Sequence, residues 1–227
     1  MDSGKYITVK RIFFLQERCL EHMLPLVADR FDFIQECIEL IINRNINEES
    51  LTEGDKEKLS IIHTFLNDAV SNLIVSLKLA LYGTYIESLS LLRIALEPIT
   101  VMTYKIEKRK FNENVNFNKA KQGIRARTEI QKLYDDLSNQ IVHLDDETRR
   151  FRRFKLDGKT YPTIGMAIDL DRTKLVLGKL APAALYLVRV LSDCYNTNTK
   201  REVVGEEYFG KVKDLEKAYR LLSKDTG

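Results

Sequence analysis

The 227-residue chain has no tryptophan, only four prolines, three cysteines and three histidines, and each scarcity removes a class of protein. Cys19, Cys37 and Cys194 are far apart, odd in number and without a Cys-x-x-Cys pair. That pattern argues against a disulfide framework or a zinc ribbon and fits a reducing cytosol. The one close Cys/His pair, "CLEH" at Cys19 and His22, has no second half and reads as packing rather than metal ligation. With no Glu-x-x-His or His-Glu-x-x-His, di-iron bundles and zinc proteases find no support. A Gly-rich phosphate loop and Gly-x-Ser-x-Gly are both missing, which sets aside P-loop nucleotide hydrolysis and serine hydrolase chemistry. Long uncharged apolar runs are missing too. Residues 69–104, the most apolar region, are interrupted by Lys78, Glu87, Arg93 and Glu97, whereas a membrane span needs about 20 nearly uncharged residues. "MDSGKYITVKR" lacks the apolar core of a signal peptide. The expectation is a cytoplasmic protein that uses neither membrane, metal nor cofactor.

What is present is an ordinary globular composition, 44% hydrophobic and 30% charged. A chain of this length buries roughly 70–75% of its unfolded surface and needs no covalent staple. One domain spanning 1–227 is expected. The net charge of +3 is unevenly spread: residues 105–159 hold 15 Lys/Arg against 9 Asp/Glu, or +6, and the remainder holds 21 against 24, or −3. A basic central third is compatible with a polyanionic partner.

Periodicity predicts an all-α bundle of six or seven helices. Residues 8–44 form one or two helices, bent or broken near Pro25. A polar connector covers 45–58, with Asp55 as the N-cap of a helix over 56–82. Gly83 breaks the chain before a second long helix over 84–108, and so short a joint makes 56–108 an antiparallel hairpin. Residues 109–124, polar and Asn-rich, read as a mobile loop. A helix over 125–144 follows, and Asp157-Gly158 flanked by extended residues predicts a small β-hairpin over 151–164. Helices over 172–195, kinked near Pro182, and 205–223 close the chain.

Two stretches carry candidate chemistry. On a helix wheel Ser90, Arg93, Glu97, Thr100 and Tyr104 share a sector of about 80°, and the rest of 84–104 is almost entirely apolar. A surface helix shows the inverse pattern, so this should be the central helix. Its charges form either a structural ion pair between Arg93 and Glu97 or a pocket wall presenting a guanidinium to an anion. In "LYDDLSNQIVH", Ile130, Leu133, Tyr134, Leu137 and Ile141 share an apolar face from which Asn139 and His143 point away. His143 lies near a helix end whose dipole favours its protonated form. His63, in "SIIHTF", reads as a satisfied core or boundary residue. The basic run "RRFRRFK", with Arg149, Arg150, Arg152 and Arg153 around Phe151 and Phe154, suits either RNA held by charge and stacking or a half-buried edge strand.

Together the two stretches resemble a family of microbial helical proteins with a G-x-Y-x-E-(S/A)-x-x-L-x-R-x-x-x-E helix followed by L-S-x-x-x-V-H. The matching residues are Gly83, Tyr85, Glu87, Leu91, Arg93 and Glu97, then Leu137, Ser138, Val142 and His143. That family in turn resembles the HEPN superfamily, helical bundles of toxins and antiviral defence, many of them metal-independent ribonucleases. In them an R-N-x-x-x-H motif lies at a homodimer interface. Asn139 and His143 align with it, but Ser138 stands where the arginine belongs. Arg93 or the 149–153 run would have to replace that arginine in space. The resemblance implies RNA or polyanion binding in a cleft lined by Arg93, Glu97, Asn139 and His143, with Glu87 and Ser138 nearby, and a homodimer or a defence-system protein as partner. The alternative is a non-catalytic interaction module whose polar seam is architecture.

Overall fold

The structure is a computed structural model and describes residues 17, 18, 20–124, 129–142, 153–156, 159–162, 169–197 and 203–224. Pro25 sets the first boundary. It occupies the opening turn of a short 3₁₀ helix, Leu24–Leu26, where its missing N–H needs no partner. Helix α1, Ala28–Ile42, then buries Phe33, Ile34, Cys37, Ile38 and Ile41 at helical spacing.

Helix α2 runs over Glu53–Leu81 and starts three residues before the expected position. Its N-cap is Thr52, not Asp55. The Asp55 N–H donates to Thr52 Oγ1 at 3.2 Å, and the Asp55 carboxylate accepts from the Thr52 N–H at 3.4 Å. Asp55 thus closes a capping box from the third helical position, satisfying backbone donors that the helix leaves open. Gly83, at φ 74°, makes the turn into helix α3, Tyr85–Lys108. Ser76 and Ser88, both fully buried, join the two helices: each hydroxyl donates to the other's carbonyl at 2.7 Å. Serines at the crossing let the axes approach closely.

Beyond α3 the expected loop 109–124 contains helix α4, Phe117–Gly123, capped by Asn116. The reason is a buried lysine. Lys105 is 5% exposed and donates to the carbonyls of Phe111 at 2.7 Å and Glu113 at 2.6 Å, fastening a polar segment to α3. Phe111 joins the main core, while Val115, Ala120 and Ile124 pack with Val101 and Tyr104 in a small second core. Gly123 is required there, because a Cβ would meet Tyr104 Cε2 at 2.5 Å.

Helix α5, Glu129–Val142, precedes strands β1, Arg153–Leu156, and β2, Lys159–Pro162. The strands pair antiparallel, with Phe154 opposite Tyr161. Asp157 and Gly158 lie outside the described residues. Helix α6, Leu170–Thr197, is longer than expected and continues through Pro182, and α7, Gly205–Leu222, ends the fold. The fold is all-α in its main mass. Helix α3 is its hub, packing against α2, α4, α5 and α6, while α1 lies on α6 and α7. By length and composition α2 and α6 could each cross a membrane; 44% and 67% of their most apolar windows are buried inside the fold. Cys37 and Cys194 are free and buried, and burial pushes both thiols up to about 12.

Candidate functional site

The polar sector expected along α3 divides in two. Thr100 is buried and turns its hydroxyl onto the Leu96 carbonyl at 2.7 Å, and Tyr104 is buried against α4. Ser90 bonds back to the Ile86 carbonyl. Only Arg93 and Glu97 remain as a charged strip, with side chains 29% and 39% exposed.

Facing them, α5 presents Tyr134 and Ser138 four residues apart, one helical turn. Arg93 Nε donates to Ser138 Oγ at 3.0 Å, and Arg93 Nη2 donates to the Tyr134 hydroxyl at 2.6 Å. That hydroxyl donates in turn to Glu97 Oε1 at 3.2 Å. Arg93 Nη1 is 3.8 Å from Glu97, an ion pair but not a hydrogen bond. Tyr134 therefore bridges the two charges more closely than they meet directly. Burial raises its hydroxyl pKa, with Arg93 opposing and Glu97 assisting, so the group stays protonated and can donate and accept at once.

Sequence reasoning placed Tyr134 on an apolar face and missed this role. The missed signal was its position one turn before Ser138, opposite a helix already carrying Arg93. The tyrosine is held from other sides as well. Phe117 packs on its ring at 4.6 Å, and the Lys121 ammonium lies 5.0 Å from the ring centre while pairing with Asp135 at 2.6 Å. The immediate charges, Arg93 and Lys121 against Glu97 and Asp135, cancel.

Arg93, Glu97 and Ser138 are thus brought together, and Asn139 is exposed at the next position along α5. Glu87 is exposed near the start of α3, outside the Arg93 network. His143, Arg149, Arg150 and Arg152 lie outside the described residues, and Arg153 opens β1. Among the described residues no group of three or more His, Cys, Asp or Glu is placed to hold a metal ion. Chemically, the cluster is a guanidinium whose Nη1 makes no hydrogen bond among the described residues, set beside a neutral phenol and a carboxylate. No protein-family model, curated protein or solved structure matches the chain.

Proposed function

We propose that this is a HEPN-like helical protein that binds RNA or another polyanion and cleaves RNA without a metal. The observation that carries this reading is the 3.0 Å bond from Arg93 Nε to Ser138 Oγ. It sets a guanidinium beside the position where the HEPN-type motif has its own arginine, next to the exposed Asn139. In that chemistry His143 takes the proton of an attacking 2′-hydroxyl. The 2′-oxygen bonds to phosphorus, the 5′-oxygen leaves with a proton, and a 2′,3′-cyclic phosphate remains. Arg93 steadies the charge that builds on the phosphorus oxygens, while Arg149, Arg150, Arg152 and Arg153 hold the backbone phosphates. The working state in this reading is a cytoplasmic homodimer with the site at the subunit boundary and a defence-system protein as partner. Its finer architecture is one bundle built on the α2–α3 pair, with β1–β2 as an attached ribbon.

Cleavage of total RNA and tRNA in EDTA tests the reading. Wild type should leave 2′,3′-cyclic phosphate ends, His143→Ala should abolish them, and Arg93→Gln should slow cleavage about 10²–10³-fold. Intact RNA with wild type, together with RNA binding that is absent at any salt concentration, overturns it.

A second reading has its own observation. The Arg93–Tyr134–Glu97 ring and the Lys121–Asp135 pair are internally paired and neutral, which suits a structural network in a non-catalytic interaction module. Under that reading Arg93→Gln lowers stability and leaves every ligand unaffected.

A further inference from the structure

Helix α5 borders a second concavity on the side turned away from Arg93. There α5, α6 and α7 leave a cleft of about 480 Å³, within the size range of small-molecule sites. Leu133 and Pro182 contribute apolar surface, and Tyr186 and Tyr219 contribute aromatic surface. Both tyrosines are half-buried and held in place: Tyr219 packs on Phe33 at 5.7 Å between ring centres, and the Tyr186 hydroxyl is 3.5 Å from Thr103 Oγ1.

Around this surface stand three cations, Lys132, Arg189 and Arg220. Arg189 is neutralised by Glu216 at 2.8 Å, and Asp136 adds one carboxylate to the lining. Glu216 and Asp193 both act on Arg189, so the cleft's available positive charge is that of Lys132 and Arg220. Lys132 and Arg220 are exposed and make no side-chain ion pair or hydrogen bond among the described residues. They come from different helices, α5 and α7, and converge on one opening.

We infer that this cleft is a binding site for a nucleoside phosphate: a planar ring between Tyr186 and Tyr219, and the phosphate at Lys132 and Arg220. Each part of the ligand answers a feature of the lining. Rings stack on aromatic side chains largely without regard to base identity. A phosphate supplies the oxygens that a guanidinium grips in pairs and an ammonium holds as a point charge. A bare aromatic ligand would leave both cations idle, and inorganic phosphate would leave both rings idle. The site stands apart from the proposed ribonuclease chemistry, since the polar partners of Arg93, namely Ser138, Tyr134 and Glu97, are not among its lining residues.

Calorimetric titration of the full chain with AMP and ADP, and with adenosine and inorganic phosphate as partial ligands, tests the assignment. Each nucleotide should bind at least tenfold more tightly than either partial ligand. The double variant Lys132→Gln/Arg220→Gln, made at exposed positions, should lose at least tenfold in nucleotide affinity with its thermal midpoint unchanged. Arg93→Gln should bind nucleotide as wild type does, which keeps failure here distinct from failure of the ribonuclease reading. Nucleotide binding no tighter than adenosine, binding that survives the double variant, or no binding at millimolar nucleotide overturns the inference.

Discussion

His63 shows what one buried nitrogen can do to stability. On α2 its Nε2 is buried with no hydrogen-bond partner among the described residues, and burial, then the nearby Arg44 charge, lowers its pKa from 6.5 to about 4. The sequence reading gave a satisfied core or boundary residue; half-buried, His63 sits at the boundary, but "SIIHTF" cannot show that Nε2 goes without a partner among the described residues. Between pH 6.5 and about 4 the unfolded chain binds a proton that the folded chain refuses, so stability falls as pH falls through that window. Asp193, whose pKa is raised first by burial and then by Glu107, acts in the opposite sense, so the variant comparison is the informative one. His63→Gln, neutral at every pH, should flatten the decline. Urea midpoints of both proteins at pH 7.5, 6 and 5 check this, and parallel curves would show that His63 carries no linkage. Arg93 makes a related point. Its i, i+4 partner Glu97 was legible in the sequence, whereas Tyr134 and Ser138 come from 41 and 45 residues further on. No local pattern brings them in.

At the scale of the element, the start of α2 and the segment after α3 differ in what their own residues encode. "LTEGDK" contains a complete Thr-x-x-Asp capping signal, and the misplacement by three residues arose because aspartate suits both the N-cap and the third position. Thr52→Ala should therefore destabilise the protein by about 0.5–2 kcal/mol, and Thr52→Ser should restore most of it. Chemical denaturation reads both, and an alanine variant as stable as wild type would show that the capping box adds nothing to stability. Residues 109–124 offer only the Asn116 N-cap, which stands among four asparagines and does not single itself out. Their order depends on Lys105 reaching two backbone carbonyls and on Tyr104 fitting over Gly123, contacts that local composition does not reveal. Helix α4 has seven residues, too short to persist without that packing. The long helices needed no outside help to be recognised. Their ends moved by a few residues because fraying and caps blur boundaries read from periodicity.

For the whole molecule, the arrangement of helices around α3 predicts a hierarchy of openings. Leu92, Leu96, Ile99 and Met102 on α3, and Leu180, Leu187 and Leu191 on α6, are all fully buried. Their amides should exchange hydrogen only through global unfolding, while those of α4 exchange through smaller local openings. Native-state hydrogen exchange by mass spectrometry would show this as at least two separable populations. Uniform protection across α3, α4 and α6 would mean that the small second core is no weaker than the first. The inverse amphipathic pattern of 84–104 already marked α3 as central, because a helix with apolar residues nearly all round must be covered on nearly all sides. The all-α character and the α2–α3 turn at Gly83 followed from local chemistry in the same way: period and glycine conformation. Which helix lies against α3 at Arg93, how Tyr134 comes between Arg93 and Glu97, and where α5, α6 and α7 leave a cationic cleft were settled only by tertiary packing. Those are relations between residues distant in sequence. Hydrophobic burial selects helices without choosing their neighbours, and the choice rests on side-chain shapes and polar partners that meet only in the folded chain.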